Sequence, residues 1–371
     1  MRTNKNYEPK PLFLERMQKL LGKDMEKYLE FSKKPVLNSI RCNTLKISPE
    51  KLLSRLKDKG WKIEQPFKEN PEIMIIKGKF ANKENVNDKR EVNNDTKLVS
   101  SNNKNSLGWE GGKELIPLEP GELGRALEHL LGYYYVQEIA SMLSVLALKP
   151  KPNELVLDIA AAPGSKTTQI AAEMKNTGTI IANDVSIGRL KILASNMERC
   201  GVTNAILTKR DGIVLCKKLK EANLKKVEGK GNLVPYLLDK ILVDAPCSGE
   251  GTIRSSPATL QMWNPKTIRQ LSKLQKALLS SAIEILKLNG ELVYSTCTHA
   301  PEENEEVLDF VLNKFKDKIK VEKINLPVKC RPGLTGWGGG DYNNEVKLAC
   351  RIYPQDNDTE GFFLAKLRRT R

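Results

Sequence analysis

The sequence has 371 residues and an apolar content of 40%, enough for two or three domains with a buried core. Its net charge is +16, and residues 1–60 alone carry 15 basic and 7 acidic side chains. A basic N-terminal section is typical of a polyanion binder, although a lysine-rich proteome would give the same excess. No run of about 18 apolar residues occurs and the N-terminus lacks the apolar stretch of a signal peptide, so we expect a cytosolic protein without a membrane partner.

The spacing of the cysteines matches neither a disulfide framework nor a zinc-binding motif. There are seven of them, an odd number without any C-x-x-C pair, and only two histidines accompany them. This pattern argues against disulfides and against a structural zinc site, so we expect neither. Because a cysteine is by default a small buried apolar residue, any reactive cysteine has to be inferred from its local context.

Residues 1–77 are predicted to form a small basic α+β module. Apolar and charged residues alternate at helical spacing over residues 11–32, and SIRCNTLKI (39–47) has the composition of a strand. A lysine-rich helix is predicted around residues 49–59. The charge of this module makes it the candidate for positioning a nucleic acid.

Residues 78–112 have a different composition, rich in Asn, Lys, Asp, Ser and Gly, with few large apolar side chains. This composition indicates a disordered or loop insertion. The segment could instead extend a short hairpin that begins at residues 73–76, and the sequence leaves both alternatives open.

Over residues 113–371, apolar strands alternate with amphipathic helices. The predicted strands are residues 154–160, 179–184, 205–210, 240–246 and 291–297. The predicted helices span residues 187–200 and 267–287 or begin near residues 166 and 301. This alternation specifies an α/β fold with a parallel sheet covered by helices on both faces. Ligands of such folds bind at the carboxyl ends of the strands, so the residues that follow each strand form the candidate site.

The first of these strands ends at Asp158 and continues into a loop of small residues, AAAPGSK (160–166). Small side chains and Gly164 allow the backbone amides at the start of the next helix to approach a ligand closely. A dinucleotide fingerprint needs G-x-G-x-x-G, and one glycine is present, so NAD and FAD are disfavoured. The small residues could alternatively serve helix packing alone.

The next two strands also end in acidic residues. Asp184 is placed to accept both ribose hydroxyls of an adenosine, and Asp211 is placed to accept from an adenine amino group. Each acidic residue alone could be a simple helix cap. Three successive strands that end in an acid, Asp158 included, favour an adenosine ligand with a charged tail.

A cysteine follows each of the last two predicted strands, in the motifs DAPCSG (244–249) and STCT (295–298). Because the carboxyl ends of neighbouring parallel strands meet at one edge of the sheet, Cys247 and Cys297 are expected to face the same cleft. Both could instead be ordinary buried residues if the flanking motifs were without significance.

The motifs occur in the order and spacing of the Nop/Sun family of RNA cytosine-5 methyltransferases, which the sequence resembles from about residue 115 to residue 371. The motifs that carry the resemblance are DIAAAPGSKT (158–167), AND (182–184), DAPCSGEGT (244–252) and STCTHAPEENE (295–305). IRCNTLK (40–46) also resembles an element of the family. DAPCSG and STC together are highly specific, whereas the glycine-containing loop alone is not.

The resemblance implies a Rossmann-like class I methyltransferase domain over residues 113–371, preceded by a small N-terminal module that positions RNA. It implies an enzyme that transfers a methyl group from S-adenosylmethionine to carbon 5 of cytosine in RNA, without a metal. Archaeal-type members that act on tRNA are the favoured match, and ribosomal RNA is the competing substrate. No separate RNA-binding domain is evident, so RNA positioning is expected to rely on residues 1 to about 112.

The resemblance also implies residue roles. Cys297 would be the nucleophile that adds to carbon 6 of cytosine, and Cys247 would promote release of the methylated base. Asp244 would hydrogen-bond the cytosine and share charge with Lys166, whose ammonium would favour a nearby thiolate. The residues implied to hold the cofactor are Ala160, Ala161, Ala162, Pro163, Gly164, Ser165, Lys166, Asp184, Arg189, Asp211 and Asp244.

DNA cytosine methyltransferases use the cysteine of their Pro-Cys element, which here would be Cys247, so the STC cysteine favours RNA over DNA. Two other classes compete with this interpretation. A catalytically idle RNA-binding or ribosome-assembly factor could keep the fold, but the motif cysteines, Asp244 and Lys166 are all intact. A dinucleotide-dependent oxidoreductase is disfavoured by the missing glycines.

Some positions depart from the family or have two interpretations. Ser165 replaces a frequent glycine, Ala160 replaces a frequent cysteine, and Gln355 stands where histidine is common. The run Tyr133–Tyr135 could stack on RNA bases or could belong to the core. Gln137 and Glu138 match a family element to which we assign no role.

Overall fold

The computed structural model describes residues 8–81, 106–228 and 238–371. They form two compact units: one comprises the described residues up to Val36 together with Glu138–Arg371, and the other is Leu37–Gln137. This division differs from the expected one into residues 1–77, 78–112 and 113–371, because the first helices belong to the large unit. The expected methyltransferase domain also begins later, since residues 113–137 belong to the small unit.

Two amphipathic helices begin the large unit. They are α1 (Pro11–Leu21) and α2 (Met25–Lys33), and they confirm the helical pattern predicted for this stretch. Each buries an apolar stripe, and the ring of Phe13 meets Trp263 edge-on with 5.5 Å between the ring centroids. Arg16 donates two hydrogen bonds to the carboxylate of Glu302, at 2.8 and 3.0 Å. Sequence alone shows that such a stripe must be buried, but not which part of the chain covers it.

The small unit is an antiparallel sheet with one long helix, consistent with the predicted α+β module. Its elements are β1 (Asn38–Cys42), α3 (Pro49–Asp58), β2 (Trp61–Glu64), β3 (Ile73–Phe80), β4 (Gly108–Glu110), β5 (Lys113–Ile116), α4 (Glu122–Arg125), α5 (Leu127–Leu130) and β6 (Tyr134–Val136). The strand order is β4-β5-β3-β1-β6, and β2 pairs with β3. The predicted strand 39–47 ends early, at Cys42, because the chain turns where Lys46 N–H bonds to Asn43 O at 2.9 Å.

Much of the predicted insertion, residues 82–105, lies outside the described residues. At its two ends the chain is in strands, since Lys79 pairs with Ile116 and Phe80 with Leu115. The ends of the segment therefore agree with the second alternative, in which it extends a hairpin that begins in β3.

The large unit contains the predicted succession of strands and helices. Its first elements are α6 (Ile139–Leu148), β7 (Leu155–Asp158), α7 (Ser165–Glu173), β8 (Thr179–Asp184), α8 (Ile187–Cys200), β9 (Ala205–Lys209), α9 (Gly212–Glu228), β10 (Leu238–Asp244), α10 (Thr259–Met262), α11 (Pro265–Glu284), β11 (Leu286–Thr296) and α12 (Glu305–Lys314). The strands β9-β8-β7-β10-β11 lie side by side and are parallel, which confirms the α/β prediction. Leu157, Ile241 and Leu292 are fully buried, as expected for strands covered on both faces.

The sheet continues beyond β11 into antiparallel strands that the sequence did not indicate. The C-terminal elements are β12 (Ile319–Glu322), β13 (Arg331–Pro332), β14 (Gly336–Trp337), β15 (Gly340–Asp341), β16 (Cys350–Ile352), α13 (Pro354–Asn357) and β17 (Phe362–Arg369). The long strand β17 pairs with β11, β12 and β16. Most of these strands have two to four residues, too few to show the alternation on which strand prediction depends.

One prediction from the cysteine pattern is wrong, because Cys330 and Cys350 form a disulfide. The pairing of β13 with β16 brings them together, since Pro332, two residues after Cys330, lies opposite Cys350. The other five cysteines, all within the described residues, form no disulfide; Cys42, Cys200 and Cys216 are buried, and Cys247 and Cys297 are half-buried. Across residues 8–81, 106–228 and 238–371, no helix is both long and apolar enough to cross a membrane.

Candidate active site

The carboxyl ends of β10 and β11 bring the two motif cysteines into contact. Asp244, the last residue of β10, lies opposite Ser295 in the parallel register. The backbone leaves the sheet within a few residues of the end of each strand. The Sγ atoms of Cys247 and Cys297 then lie 3.2 Å apart without a covalent bond. The structure thus brings together two residues that are fifty positions apart in the sequence.

An ion pair lies at the same strand ends. Lys166, in the first turn of α7, places its Nζ 2.8 Å from Asp244 Oδ2 and 2.9 Å from Ser141 Oγ. The other carboxylate oxygen of Asp244 accepts a hydrogen bond from Ser295 Oγ at 2.7 Å. Burial alone would lower the pKa of Lys166, but the charge of Asp244 and its hydrogen bond outweigh burial and raise that pKa. Lys166 therefore stays a cation in a largely buried position.

The loop between β7 and α7 is closely packed against the adjacent strand ends. Ala161 N–H donates to Asn183 O at 2.7 Å, and the Asn183 amide donates to Ile159 O and to Arg210 O, each at 3.0 Å. Gly164 has φ +107°, and a Cβ there would lie 2.8 Å from Leu193 Cδ1. The glycine therefore has a packing role, because a side chain there would collide with α8.

The acidic residues after β8 and β9 have different surroundings. Asp184 is buried, its Oδ1 accepts Ser186 N–H at 2.9 Å, and its Oδ2 lies 3.2 Å from Arg189 Nη1. Within the described residues Oδ2 accepts no hydrogen bond, which fits a carboxylate that receives a hydroxyl of a ligand. Arg189 also donates to the carbonyl of Ala162, so it joins the loop to this carboxylate.

Asp211 caps helix α9. Its Oδ1 accepts the N–H groups of Ile213 at 3.0 Å and Val214 at 3.1 Å. The cap was one of the alternatives left open for this residue, and a cap does not by itself point to a ligand. Asp158, at the end of β7, accepts a hydrogen bond from Thr167 Oγ1 at 2.8 Å, and burial raises its pKa to about 7.

A buried carboxyl group that the sequence analysis did not single out lies beside Cys247. Glu303 accepts the N–H of Ser248 at 3.0 Å and a hydrogen bond from Gln275 Nε2 at 2.8 Å. Gln275 Nε2 also donates to Pro246 O at 2.8 Å. The signal for Glu303 was present, because it belongs to the motif STCTHAPEENE, but the motif assigned it no role.

The pKa values of these buried groups are shifted. The pKa of the Cys247 thiol is raised well above its usual value by its hydrogen bond with Cys297 and by burial, and the charge of Glu303 adds to the shift. Burial raises the pKa of Glu303 to about 7, against the opposing hydrogen bonds from Ser248 and Gln275. The carboxyl groups of Glu303 and Asp158 therefore have pKa values near neutral pH, whereas the pKa of Cys247 is shifted away from it.

The tyrosine run belongs largely to the core of the small unit. Tyr134 is fully buried and donates to Leu123 O at 2.6 Å, and Tyr135 is buried with its ring 5.6 Å from the guanidinium of Arg41. Tyr133, which is half-buried, has the guanidinium of Arg55 5.6 Å from its ring. Two of the three rings are therefore not exposed enough to stack on RNA bases.

The contacts of Gln137 and Glu138 are structural. Gln137 accepts a hydrogen bond from Arg41 within the small unit. Glu138 caps α6 by accepting Ala140 N–H at 2.6 Å, and burial raises its pKa to about 7. Gln355, in α13, is buried, and within the described residues neither of its amide atoms has a hydrogen-bond partner.

Comparison with known families agrees with the fold and the motifs. The family described as "16S rRNA methyltransferase RsmB/F" matches residues 145–368, and the "N-terminal domain of 16S rRNA methyltransferase RsmF" matches residues 10–70. The ribosomal RNA small subunit methyltransferase F of Vibrio parahaemolyticus is 35% identical over 96% of this chain and 62% of its own length. The chain thus spans less than two thirds of that bacterial relative.

A tRNA (cytosine(49)-C(5))-methyltransferase of Pyrococcus abyssi is 44% identical over 67% of this chain and 74% of its own length. A methyltransferase homolog of Pyrococcus horikoshii has a TM-score of 0.70 at 32% identity, covering 96% of this chain and 94% of that one. NSun6 of Pyrococcus horikoshii, solved with SFG, has a TM-score of 0.71 at 27% identity, covering 96% and 97%. SFG is an analogue of S-adenosylmethionine. The chain therefore belongs to the RsmB/F family of S-adenosylmethionine-dependent methyltransferases.

Proposed function

We propose that the protein transfers a methyl group from S-adenosylmethionine to carbon 5 of cytosine in RNA, through a covalent bond between Cys297 and the base. One observation supports this proposal above the others. The sulfur atoms of Cys247 and Cys297 lie 3.2 Å apart at neighbouring strand ends, next to the buried Lys166–Asp244 ion pair. One substrate carbon can therefore be attacked by one thiol while the second thiol is within reach of the adjacent carbon.

Carbon 5 of cytosine is a poor nucleophile, and the two thiols overcome this in two steps. The thiolate of Cys297 forms a bond to carbon 6, which moves electron density to carbon 5. When bound, S-adenosylmethionine supplies the methyl group to carbon 5. Cys247, as a thiolate, then takes the proton from carbon 5, and the electron pair of that bond re-forms the ring double bond as the sulfur–carbon 6 bond breaks. Cys297 leaves as a thiolate, so no oxidant or metal is required.

The ion pair orients and polarises the base in this scheme. Asp244 accepts a hydrogen bond from the exocyclic amine of cytosine, and Lys166, whose Nζ lies 2.8 Å from Asp244 Oδ2, holds that carboxylate in place. The base must leave any helical stack to reach this site, as in other enzymes that modify a base. The charge of Lys166 also favours the thiolate over the thiol in its neighbourhood.

The cofactor is proposed to lie at the carboxyl ends of β7, β8 and β9. Residues 160–166 would hold its charged tail through backbone amides at the start of α7, which begins at Ser165. Asp184, with a carboxylate oxygen that accepts no hydrogen bond within the described residues, would accept a ribose hydroxyl, and Arg189 would hold that carboxylate in place. Asp211 would accept from the adenine amino group with the oxygen that does not cap α9.

We propose tRNA as the substrate and the cytoplasm as the location of the protein. The tRNA substrate is supported by the tRNA methyltransferase of Pyrococcus abyssi, whose 44% identity is higher than the 35% of the bacterial ribosomal RNA methyltransferase. Ribosomal RNA is the second candidate. It is supported by the match of residues 10–70 to the RsmF N-terminal domain and by 35% identity across 96% of the chain.

Methyl transfer from radiolabelled S-adenosylmethionine to deproteinised tRNA and, separately, to ribosomal RNA and small ribosomal subunits would test the proposal. Bisulfite sequencing of the labelled RNA should show one protected cytosine in a tRNA. Labelling of ribosomal RNA alone would replace tRNA by the second candidate. RNA binding without any methyl transfer, with S-adenosylmethionine bound, would support the idle factor instead.

A further inference from the structure

The main chain on both sides of Cys247 is held by two fully buried side chains. Gln275 donates to the carbonyl of Pro246 at 2.8 Å, and Glu303 accepts the N–H of Ser248 at 3.0 Å. The two side chains are joined by a hydrogen bond of 2.8 Å between Gln275 Nε2 and Glu303 Oε2. This hydrogen-bonded ring fixes a carboxyl group at the turn that carries Cys247, and at no other motif cysteine within the described residues.

The two sulfur atoms therefore face charges of opposite sign. Lys166 interacts electrostatically with Cys297, and Glu303 interacts with Cys247. The other charged or titratable groups that face the pair or its partners are Asp244 and Asp158 near Lys166, Glu250 near Glu303, and Tyr294, which donates from its hydroxyl to the carbonyl of Glu303. The cation Lys166 acts on Cys297, whereas the fully buried acid Glu303 acts on Cys247.

Two thiols 3.2 Å apart can share one S–H···S hydrogen bond after one proton has left the pair. The remaining proton is held by the sulfur that is closer to negative charge. We propose that Glu303 is a positioning residue that keeps this proton on Cys247 and so leaves the thiolate on Cys297. The inference rests on the proposed function for the identity of the attacking cysteine, and it accounts for the different roles of two otherwise similar thiols.

The same arrangement serves the release step. Once Cys297 is bonded to carbon 6, the hydrogen bond between the sulfurs is lost, and Cys247 gives its proton to solvent before it takes the proton from carbon 5. A thiol whose pKa is raised is the stronger base when it is ionised. Burial and Glu303 still raise the pKa of Cys247 at this stage, so Cys247 is better suited to remove a proton than to attack.

The test is the ratio of alkylation rates of the two cysteines, measured without RNA so that it does not depend on methyl transfer. Iodoacetamide is added to the full-length protein over about pH 6 to pH 9, and each modified peptide is quantified by mass spectrometry. Cys297 should react faster than Cys247 in the natural protein. In Glu303→Gln, which keeps an oxygen for Ser248 N–H but removes the charge, the ratio should fall about tenfold, as for one pKa unit.

Two further variants separate charge from structure. Glu303→Asp keeps the negative charge and should restore most of the natural ratio. Glu306→Gln removes a carboxylate that also contacts α11, through an ion pair of 2.6 Å with Lys276, but does not touch the Cys247 turn. It should leave the ratio unchanged.

An unchanged ratio in a folded Glu303→Gln protein would overturn the inference. If that variant does not fold, the pH dependence of the alkylation ratio in the natural protein provides the test. The pKa of Glu303 is raised to about 7, so lowering the pH through this value adds a proton, removes its charge and should lower the ratio. A ratio that is constant with pH overturns the inference. A shifted ratio in a protein that methylates no RNA would refute only the proposed function, and methyl transfer with an unshifted ratio would refute only the role of Glu303.

Discussion

The parallel strands and the antiparallel edge of the large sheet use pairs of cysteines in opposite ways. At the carboxyl ends of β10 and β11, Cys247 and Cys297 are in contact but remain separate thiols. At the edge, Cys330 and Cys350 are joined where β13 pairs with β16. The pairing of two strands explains why Cys330 and Cys350 are joined. Cys247 and Cys297 are instead surrounded by charged side chains.

This difference shows where the sheet can carry chemistry. Parallel strands end together, so the loops after them bring Lys166, Asp244 and both motif cysteines to one place without backbone pairing between those loops. At the antiparallel edge the backbone continues to pair, and a covalent link there closes a loop of the chain. We expect changes at the strand ends to affect catalysis and changes at the edge to affect stability.

Cys297→Ala is expected to have the largest effect. It removes the proposed nucleophile, so methyl transfer should fall to less than about one-thousandth of the natural rate. Binding of S-adenosylmethionine, measured by calorimetry, should be unchanged, because Cys297 is outside the proposed cofactor site. The matched control is Cys216→Ala, which removes a buried thiol that belongs to neither cysteine motif. Retained turnover in the Cys297 variant would refute the nucleophile assignment.

Cys247→Ala should stop the reaction after methyl transfer and before release of the base. Without the thiol that removes the proton from carbon 5, the bond between Cys297 and the base should persist. The measurement is an RNA–protein adduct that survives denaturing gel electrophoresis, at up to about one equivalent of enzyme. If the adduct accumulates with the Cys297 variant and not with the Cys247 variant, the two roles are reversed.

The contrast between these regions also explains what could be predicted from the sequence. The strands of the parallel sheet are apolar runs of four or more residues, so their ends could be predicted from the sequence. Asp244, Cys247 and Cys297 were predicted as site residues because they lie at or just after those ends. Glu303 lies in a motif that assigns it no role, and the sequence does not link it to Gln275 or to the Cys247 turn, because these contacts join residues 28 to 55 positions apart. The disulfide was missed because β13 and β16 have two and three residues, too few to predict their pairing.

Replacing both Cys330 and Cys350 by Ser should lower stability without affecting catalysis. The disulfide closes a loop of 20 residues, and chain entropy then predicts a loss of about 3 kcal/mol in the free energy of unfolding. Urea titration measures it, and the natural protein under a reducing agent should match the double variant. Loss of methyl transfer in a variant that is still folded would show that the edge contributes to the site.

The smallest expected effects are on cofactor affinity, in variants of two acidic residues at neighbouring strand ends. Asp184→Asn keeps an oxygen for Ser186 N–H but should weaken binding of S-adenosylmethionine about tenfold, because a neutral amide accepts ribose hydroxyls less strongly than a carboxylate does. Asp211→Asn keeps the cap of α9 and should weaken binding only about threefold, since its proposed contact is a single amino group. Calorimetry measures both. Unchanged affinity in the Asp184 variant would remove the ribose contact, and unchanged affinity in the Asp211 variant would leave Asp211 as a helix cap alone.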